Sequence, residues 1–377
     1  MKKFAQRFTA VLAAVMTVLA VGISVCALDP PEEGTYIGWE YSQNGWTYTF
    51  VKYDDELYRE IDGVMYDFAP SDQYRCSGKH NGWTDYNGIK KYKYYHDGLP
   101  YTGWTKNKSG KRKYFLDGFP VKGKFPIGNK LYSFDKNGVY TGKSEPAVLT
   151  ANCDSRISSD AEKITVTVKY NDGNNNKMYT VSQPAKMECW EYGEWRSFGK
   201  PEDYPVDDIA YELGGLGDCS VNFTEVPFYL QTYTGGNIQE GYYRITVPCS
   251  YTDPKNNREV TKDLYAVFKI VPPAEVKMSE DIYKAEADAD ISLQAYITVN
   301  SEKLADKDIT VKIEKKTNLG WETAVEEFKY GPNASCDSVG ADGTMTADIS
   351  MAPDTGYYKT VAEVGGKSYE AAFRVEI

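Results

Sequence analysis

Gly82-Trp83-Thr84, then Lys93-Tyr94-Tyr95-His96-Asp97-Gly98, then Tyr101-Thr102-Gly103 make one unit of a repeat. The next opens with Trp104-Thr105 and continues through Lys113-Tyr114-Phe115-Leu116-Asp117-Gly118 to Val121-Lys122-Gly123. A third holds Lys124-Phe125, Leu131-Tyr132-Ser133-Phe134-Asp135-Lys136-Asn137-Gly138 and Tyr140-Thr141-Gly142. The period is about 20 residues, and degenerate copies begin at Gly38-Trp39, Gly45-Trp46 and Gly63-Val64. Tyr- and Phe-rich runs favour strands. Asp97-Gly98, Asp117-Gly118 and Asn137-Gly138 are turn signals between strands. A lone hairpin is marginal in water, so successive hairpins are expected to stack and bury their rings as a short β-solenoid over residues 34–142.

Composition changes at the end of this stretch. Residues 34–142 carry 25 aromatics and a net charge of +4, whereas the longer stretch 143–377 carries 26 aromatics and a net charge of −15. Two different surfaces therefore meet near Lys143-Ser144-Glu145-Pro146. Beyond them the pattern is strand after strand. Tyr243, Ile245, Val247 and Cys249 alternate with Arg244, Thr246 and Pro248, as do Ile291, Leu293, Ala295 and Ile297 with their neighbours. Ile164 to Val168 and Thr310 to Glu314 are further strands, and Asn171 to Asn176 is a polar turn cluster. No dozen-residue window sustains helical spacing. Short strands with regular turns favour β-sandwiches.

The two halves of this region share landmarks in one order. Met187-Glu188-Cys189 up to Trp195 answers Ile313-Glu314-Lys315 up to Trp321. Gly241-Tyr242-Tyr243-Arg244 answers Gly356-Tyr357-Tyr358-Lys359, and Tyr265 to Ile270 answers Glu370 to Val375. Pro272-Pro273 stands between the halves as a stiff linker. A tandem duplication accounts for this. The expected fold is all-β: an N-terminal β-hairpin repeat solenoid (34–142) followed by two Ig-like β-sandwiches (147–271 and 274–377).

The order Gly-Trp, Tyr-Tyr/Phe, Asp-Gly, Thr-Gly resembles the cell-wall-binding repeats of Gram-positive bacteria, the choline-binding and glucan-binding types among them. The resemblance covers residues 34–142 and is strongest over 82–142. It implies ligand sites between neighbouring repeats, built from the Trp of the Gly-Trp pair, an aromatic before the paired Tyr positions, and a Tyr of the next repeat. Carried over residue by residue, it points to Trp83, Trp104 and Tyr114, with Tyr94 and Tyr132 nearby. Aromatic faces attract quaternary ammonium groups and offer flat apolar platforms to sugar rings. This chain departs from the choline pattern, with Lys93, Lys113 and Leu131 where the extra aromatic is expected. A lysine inside the cage would repel choline, which turns the expectation toward a glycan or an anionic wall polymer. The net +4 of the stretch agrees with the latter. The competing reading is that the same rings are core. The Gly-Tyr-Tyr-Arg strand after a Gly-x-Trp hairpin resembles bacterial Ig-like domains of secreted proteins over 147–377, which speaks to fold and not to function.

The N-terminus is read as an export signal. Lys2, Lys3 and Arg7 precede an apolar run from Val11 to Val25, and Val25-Cys26-Ala27 ends it with a small residue. Residues 1–27 are thus a signal peptide to be set aside, the run being short for a span of ~20 residues. Bulky Val25 argues against lipoprotein attachment at Cys26, and no second apolar run or wall-sorting tail follows. No membrane span is expected after cleavage, and any retention at the surface is non-covalent. Cys76, Cys153, Cys189, Cys219, Cys249 and Cys336 remain. Their spacing fits no zinc pattern. Export permits disulfides, and bridges or buried thiols both stay open.

Chemistry finds little to work with. The chain has 377 residues and only two His, His80 and His96, and a formal net charge of −11 that disfavours nucleic acid. It has no Gly-x-Ser-x-Gly elbow, Walker loop or His-Glu-x-x-His. Cys219 follows a Gly-rich run, Gly214 to Asp218, without a nearby His to activate it. Asp207-Asp208 and Glu286 to Asp290 read as a solvated acidic face, not a spaced calcium loop. The expectation is a secreted, non-catalytic surface protein without cofactor or metal. Its repeats bind cell-wall polymer or extracellular glycan by adding weak adjacent sites, and the Ig-like pair projects outward as a spacer or protein-binding surface. An adherence protein for a polysaccharide such as starch, and a glycan-acting enzyme with unrecognised carboxylates, are the alternatives.

Overall fold

The computed structural model is all-β, with a single 3-10 turn at Glu302–Leu304 among the described residues. It describes residues 38–42, 45–49, 58–69, 75–85, 92–128, 130–146, 149–161, 164, 166–170, 179–181, 186–197, 211–213, 239–253, 255–286, 289–330 and 344–377. The expected signal peptide, the cluster Asn171 to Asn176, Asp207-Asp208, the run Gly214 to Cys219, and Cys336 lie outside them.

Each repeat unit is a small antiparallel sheet. Gly82–Asp85, Tyr92–His96 and Leu99–Pro100 form the first, with Trp83 opposite Tyr94. Gly103–Lys106, Arg112–Leu116 and Phe119–Pro120 form the second, with Trp104 opposite Tyr114. Gly123–Ile127, Lys130–Phe134 and Tyr140–Pro146 form the third, with Phe125 opposite Tyr132. The degenerate copies behave differently. Their strands merge into one five-stranded sheet in the order Gly38–Ser42, Gly45–Thr49, Arg75–Lys79, Val64–Ala69, Tyr58–Ile61. Pairing removes edges that separate hairpins would leave open.

The turns explain the glycines. Asp97 and Gly98 have φ of 51° and 73°, and Asp117 and Gly118 have 50° and 78°. Positive φ at both central residues is the two-residue type I′ turn that matches strand twist. Each turn also sits on the preceding unit. A Cβ on Gly98 would lie 2.5 Å from Val64 Cγ1 and 2.8 Å from the Met65 carbonyl oxygen. One on Gly118 would lie 2.5 Å from Lys93 Cγ and 2.8 Å from the Tyr94 carbonyl oxygen. A backbone carbonyl cannot swing aside as a side-chain tip can, so only glycine fits. Backbone bonds seal the contact: Met65 N–H donates to Gly98 O at 2.7 Å and Tyr94 N–H to Gly118 O at 2.8 Å. Asn137-Gly138 departs from the two-residue expectation. There Gly138 has φ of 72°, and the Asp135 carboxylate accepts from the N–H groups of Asn137 and Val139, both at 2.8 Å. The result is a longer, side-chain-capped turn.

The compositional boundary near residue 143 is not a backbone boundary. Lys143 to Pro146 continue the strand Tyr140–Pro146, which pairs Lys130 with Pro146 and Tyr132 with Ser144.

The remaining chain builds two cores. The first lies between the pair Leu149–Asn152/Thr167–Tyr170 and a larger sheet centred on Gly241–Asp253 and Arg258–Val271, around Ile164, Val168, Ile245, Val247 and Phe268. The second lies between Ala274–Met278/Ile291–Val299/Thr344–Met351 and a five-stranded sheet centred on Gly356–Val364 and Lys367–Glu376. The alternation read from the sequence appears as burial of Tyr243, Ile245, Val247 and Cys249, and of Ile291, Leu293, Ala295 and Ile297.

The two halves differ in their sheets but repeat several contacts at matching positions. Tyr243 is opposite Phe268 and Tyr358 opposite Phe373, and the rings stack at 6.0 and 5.4 Å. Tyr243 donates to the Gln239 carbonyl at 2.7 Å and Tyr358 to the Asp354 carbonyl at 2.8 Å. Arg244 Nε donates to Glu188 at 2.5 Å, and Lys359 Nζ lies 3.2 Å from Glu314. Above each cation lies a tryptophan ring, Trp195 at 4.7 Å from Arg244 and Trp321 at 4.7 Å from Lys359. The Pro272-Pro273 junction is tied down, not free. Asn300 N–H donates to the Pro273 carbonyl at 2.8 Å and Asn300 Nδ2 to the Pro272 carbonyl at 2.9 Å. Ser301 Oγ donates to Asp160 at 2.9 Å across the two halves.

Cys76, Cys153, Cys189 and Cys249 stand as free thiols. Burial pushes Cys153 up to about 12 and Cys249 up to about 11, from an ordinary 9.0. Burial likewise raises Tyr66 and Tyr243 from 10.0 to about 12. Below pH 9 both folded and unfolded chains keep these protons. Above it the unfolded chain releases protons that the folded chain holds, so unfolding gains. The urea midpoint is expected to fall steadily between about pH 9 and 12, where a flat profile would contradict these burials. Substituting Gly118→Ala is expected to cost about 2–3 kcal/mol, through positive φ and the clash on Tyr94 O. Gly110→Ala, at φ of 74° but facing open space, costs only about 1 kcal/mol. Urea midpoints followed by tryptophan emission check the pair.

Candidate functional site

The five ring residues expected to bind ligand fall into two groups, one repeat apart. The first group is open. Trp83 leaves 47% of its surface exposed and is the one exposed tryptophan of the chain's seven. Its ring centroid lies 5.3 Å from Tyr94 and 5.5 Å from Phe115 of the next unit. Tyr94 in turn lies 5.3 Å from Phe115 and 5.7 Å from Tyr101, edge to face with the latter. The Tyr101 hydroxyl donates to the Trp104 carbonyl at 2.8 Å, which fixes that ring between the two units. The arrangement follows from the register. Trp83 and Tyr94 are cross-strand partners on one face, and Tyr95, the next residue, points into the core and is buried. The result is an aromatic shelf with a packed floor, Phe115, and one wet wall, Trp83.

The second group is partly covered, its rings all intermediate in exposure. Trp104 lies 5.4 Å from Tyr114, 5.1 Å from Tyr132 and 5.7 Å from Tyr140. The Arg112 guanidinium sits 4.1 Å above the Trp104 ring centroid and 5.8 Å from that of Tyr140. These rings pack around a small core of Leu116, Val121, Phe125 and Phe134, and Trp190, Trp195 and Tyr242 of the first sandwich pack on the same core. Trp190 Nε1 donates to the Leu116 carbonyl at 2.9 Å. Burial raises the Tyr114 phenol above its usual range, with Tyr242 and Tyr101 beside it. A cation and a neighbouring sandwich thus take up rings that the sequence marked for ligand.

The lysines are held by their neighbours: Lys93 Nζ lies 5.8 Å from the ring centroids of both Tyr95 and Phe119. Lys93 Nζ reaches the next unit's turn, 3.2 Å from the Asp117 carboxylate. Lys113 Nζ donates to the Asn137 carbonyl at 2.9 Å, again at the next turn. Lys79 approaches Asp97 at 3.8 Å. The lysine of each unit latches the turn of its successor.

Three participants were missed by sequence reasoning: Phe115, Tyr101 and Arg112. Arg112 was within reach, since period two along a strand places it on the same face as Tyr114. Phe115 reads in the sequence only as half of a strand pair. For chemistry there is little. His80 Nδ1 is 2.6 Å from Asp67, and His96 lies on the strand Tyr92–His96, its ring 5.9 Å from Tyr101. Among the described residues no three His, Cys, Asp or Glu side chains gather as a metal site, and no helix is long and apolar enough to cross a membrane.

No family model matches the chain, and no curated protein matches it. Solved structures that resemble it include Ig-like and fibronectin-III-like domains. The teleost fish polymeric Ig receptor ectodomain is 10% identical, covering 60% of this chain and 96% of that one at a TM-score of 0.24. The fibronectin(III)-like modules of Clostridium thermocellum CbhA are 9% identical, covering 61% and 93% at 0.18. CbpJ from Streptococcus pneumoniae is 20% identical, covering 37% of this chain and 44% of its own length at 0.19. Likenesses at such scores decide nothing about ligand or arrangement.

The difference in exposure is measurable. Replacing Trp83→Phe is expected to lower the acrylamide-quenchable tryptophan emission by more than the same change at any other tryptophan, because Trp39 and Trp46 are only 4% and 5% exposed and Trp104, Trp190, Trp195 and Trp321 are part-buried. Quenching that persists undiminished in the variant would place the exposed ring elsewhere.

Proposed function

We propose that this chain is an exported, non-catalytic surface protein that binds a cell-wall polymer or extracellular glycan through the Trp83 shelf. The observation that carries the reading is the half-exposed Trp83 ring on an otherwise packed ring stack. A large exposed indole costs solubility and is more useful as a platform than as surface. Trp83 and Tyr94 supply the flat apolar face that suits a sugar ring, and Phe115 and Tyr101 hold them from behind. Trp104, Tyr114 and Tyr132 play a supporting part, since Arg112 and the first sandwich occupy them. Binding on one shelf per chain replaces the row of equal sites expected from the repeats. Several chains on one polymer then supply the avidity.

A second ligand chemistry has one observation in its favour. Arg112 lies face-on over Trp104, so rings of this geometry already hold a cation. With Lys93 and Lys113 drawn off to the turns, the Trp83 shelf suits a quaternary ammonium carried on a wall polymer.

Full-length protein incubated with purified cell walls, insoluble glucan and starch separates these readings. Retention on walls or glucan, weakened about 10-fold by Trp83→Ala and hardly by Trp104→Ala, supports the shelf. Elution by free choline selects the ammonium ligand, and a shift on starch alone selects a polysaccharide outside the envelope. Undiminished retention of the Trp83→Ala variant would falsify the site.

A further inference from the structure

The duplicated sandwiches present one face to the hairpins twice. In the first sandwich that face is Trp195, Tyr242 and Val267, packed on the hairpin core of Leu116, Val121, Phe125 and Phe134. In the second it is Trp321, Tyr357 and Ala372, packed with Trp39, Trp46, Ile61, Tyr66 and Phe68 of the five-stranded sheet. Under the alignment of the two halves these are the same three positions. Trp195 matches Trp321, the first Tyr of each Gly-Tyr-Tyr matches, and Val267 and Ala372 each precede the buried Phe of the paired strand.

The tyrosine hydroxyl contacts repeat as well. The Tyr242 hydroxyl lies 3.4 Å from Thr102 Oγ1, which itself accepts the Asp117 N–H of a turn at 3.0 Å. The Tyr357 hydroxyl donates to Asp62, the first residue of the Asp62-Gly63 turn. An indole N–H crosses each junction. Trp190 donates to the Leu116 carbonyl at 2.9 Å, and Trp46 donates to Glu376 at 2.7 Å. At the second junction Arg374, 4% exposed, lies 4.0 Å from the Trp39 ring, 5.3 Å from Tyr66 and 5.5 Å from Trp46. Lys79 pairs there with Asp281. A cation under three rings and out of water belongs to the stronger class of such contacts.

Casual contact between linked modules has no reason to choose equivalent residues on both copies. We propose that this face is a docking surface for aromatic β-hairpins, duplicated along with the sandwich, and that its partner is the hairpin portion of this same chain, gripped at two points. The sandwiches serve as a clamp and not as an outward spacer. Between the two gripped stretches, 38–69 and 103–134, the chain leaves Trp83 uncovered. This inference does not depend on what Trp83 binds.

Amide hydrogen exchange on the full chain tests it strand by strand. Tyr357→Ala is expected to speed exchange at least 10-fold in the Gly38–Ser42 to Val64–Ala69 strands and leave Gly103–Pro120 unchanged. Tyr242→Ala is expected to do the reverse. Asp62→Gly, which suits the positive φ of that turn and leaves both sandwich cores untouched, reproduces the Tyr357→Ala pattern in weaker form. Hairpin protection that stays at the wild-type level in all three variants overturns the clamp. So does loosening that spreads equally over both hairpin stretches while the sandwich strands stay protected.

Discussion

Each of the three hairpins over residues 82–142 has to set its turn on the backbone that precedes it. Gly98 meets Val64 and the Met65 carbonyl, Gly118 meets Lys93 and the Tyr94 carbonyl, and Gly138 meets Pro120 and the Val121 carbonyl. No side chain fits between turn and carbonyl, so glycine recurs there at the period of the repeat. That contact sets the spacing between units, and the spacing sets everything that follows. It brings Phe115 of one unit under Trp83 and Tyr94 of the previous one. It also brings the Asp117 carboxylate within reach of Lys93 and the Asn137 carbonyl within reach of Lys113. Exposed ion pairs are worth little alone. The Lys93–Asp117 pair is partly sheltered, the Lys113 contact to a carbonyl is exposed, and the effect of both is to orient the turn over its seat.

The parts legible in the sequence are those fixed by short-range rules. Period two exposed the strand pattern of Tyr243 to Cys249 and of Ile291 to Ile297, and Asp-Gly announced the turns at 97–98 and 117–118. The duplication was readable because matching landmarks survive in order, down to the paired cations Arg244 and Lys359. What stayed hidden depends on side-chain direction or on distance along the chain. Lys93 occupies the position of a cage residue, but its long stem carries its ammonium to the Asp117 carboxylate as well as to the Tyr95 and Phe119 rings. Asn137-Gly138 reads as a two-residue turn until Asp135 is seen to cap it. The bond from Trp46 to Glu376 spans 330 residues, and no local pattern encodes such a meeting.

The candidate site was half legible for the same reason. Trp83 and Tyr94 pair within one unit and meet Phe115 of the next, and Trp104 and Tyr114 pair within the second and meet Tyr132 and Phe125 of the third, as stacking of similar hairpins requires. Whether a converged ring faces water is decided by what lies across from it. For Trp104 that includes Arg112 on the adjoining strand and the Trp190/Trp195 hairpin more than 80 residues later. Repeats that look equal in sequence become unequal once a neighbour covers one of them.

Charge follows the same rule, because what a charged face meets decides its use. A net of +4 over 34–142 beside −15 over 143–377 reads in isolation as one module seeking an anionic polymer. The junctions give the two signs another use. Lys79 meets Asp281 across one of them, with Arg374 and Glu376 supplying a cation and a carboxylate to the rings of Trp39 and Trp46. Opposite net charges on parts tethered in one chain attract within a Debye length of roughly 8 Å at physiological salt, and the facing surfaces lie closer than that. One basic side chain of the repeats, Lys79, is thus answered inside the molecule. It counts as evidence for the fit of hairpins to sandwiches before it counts as evidence for any ligand, and the case for a polymer rests on the shape and exposure of the Trp83 shelf alone.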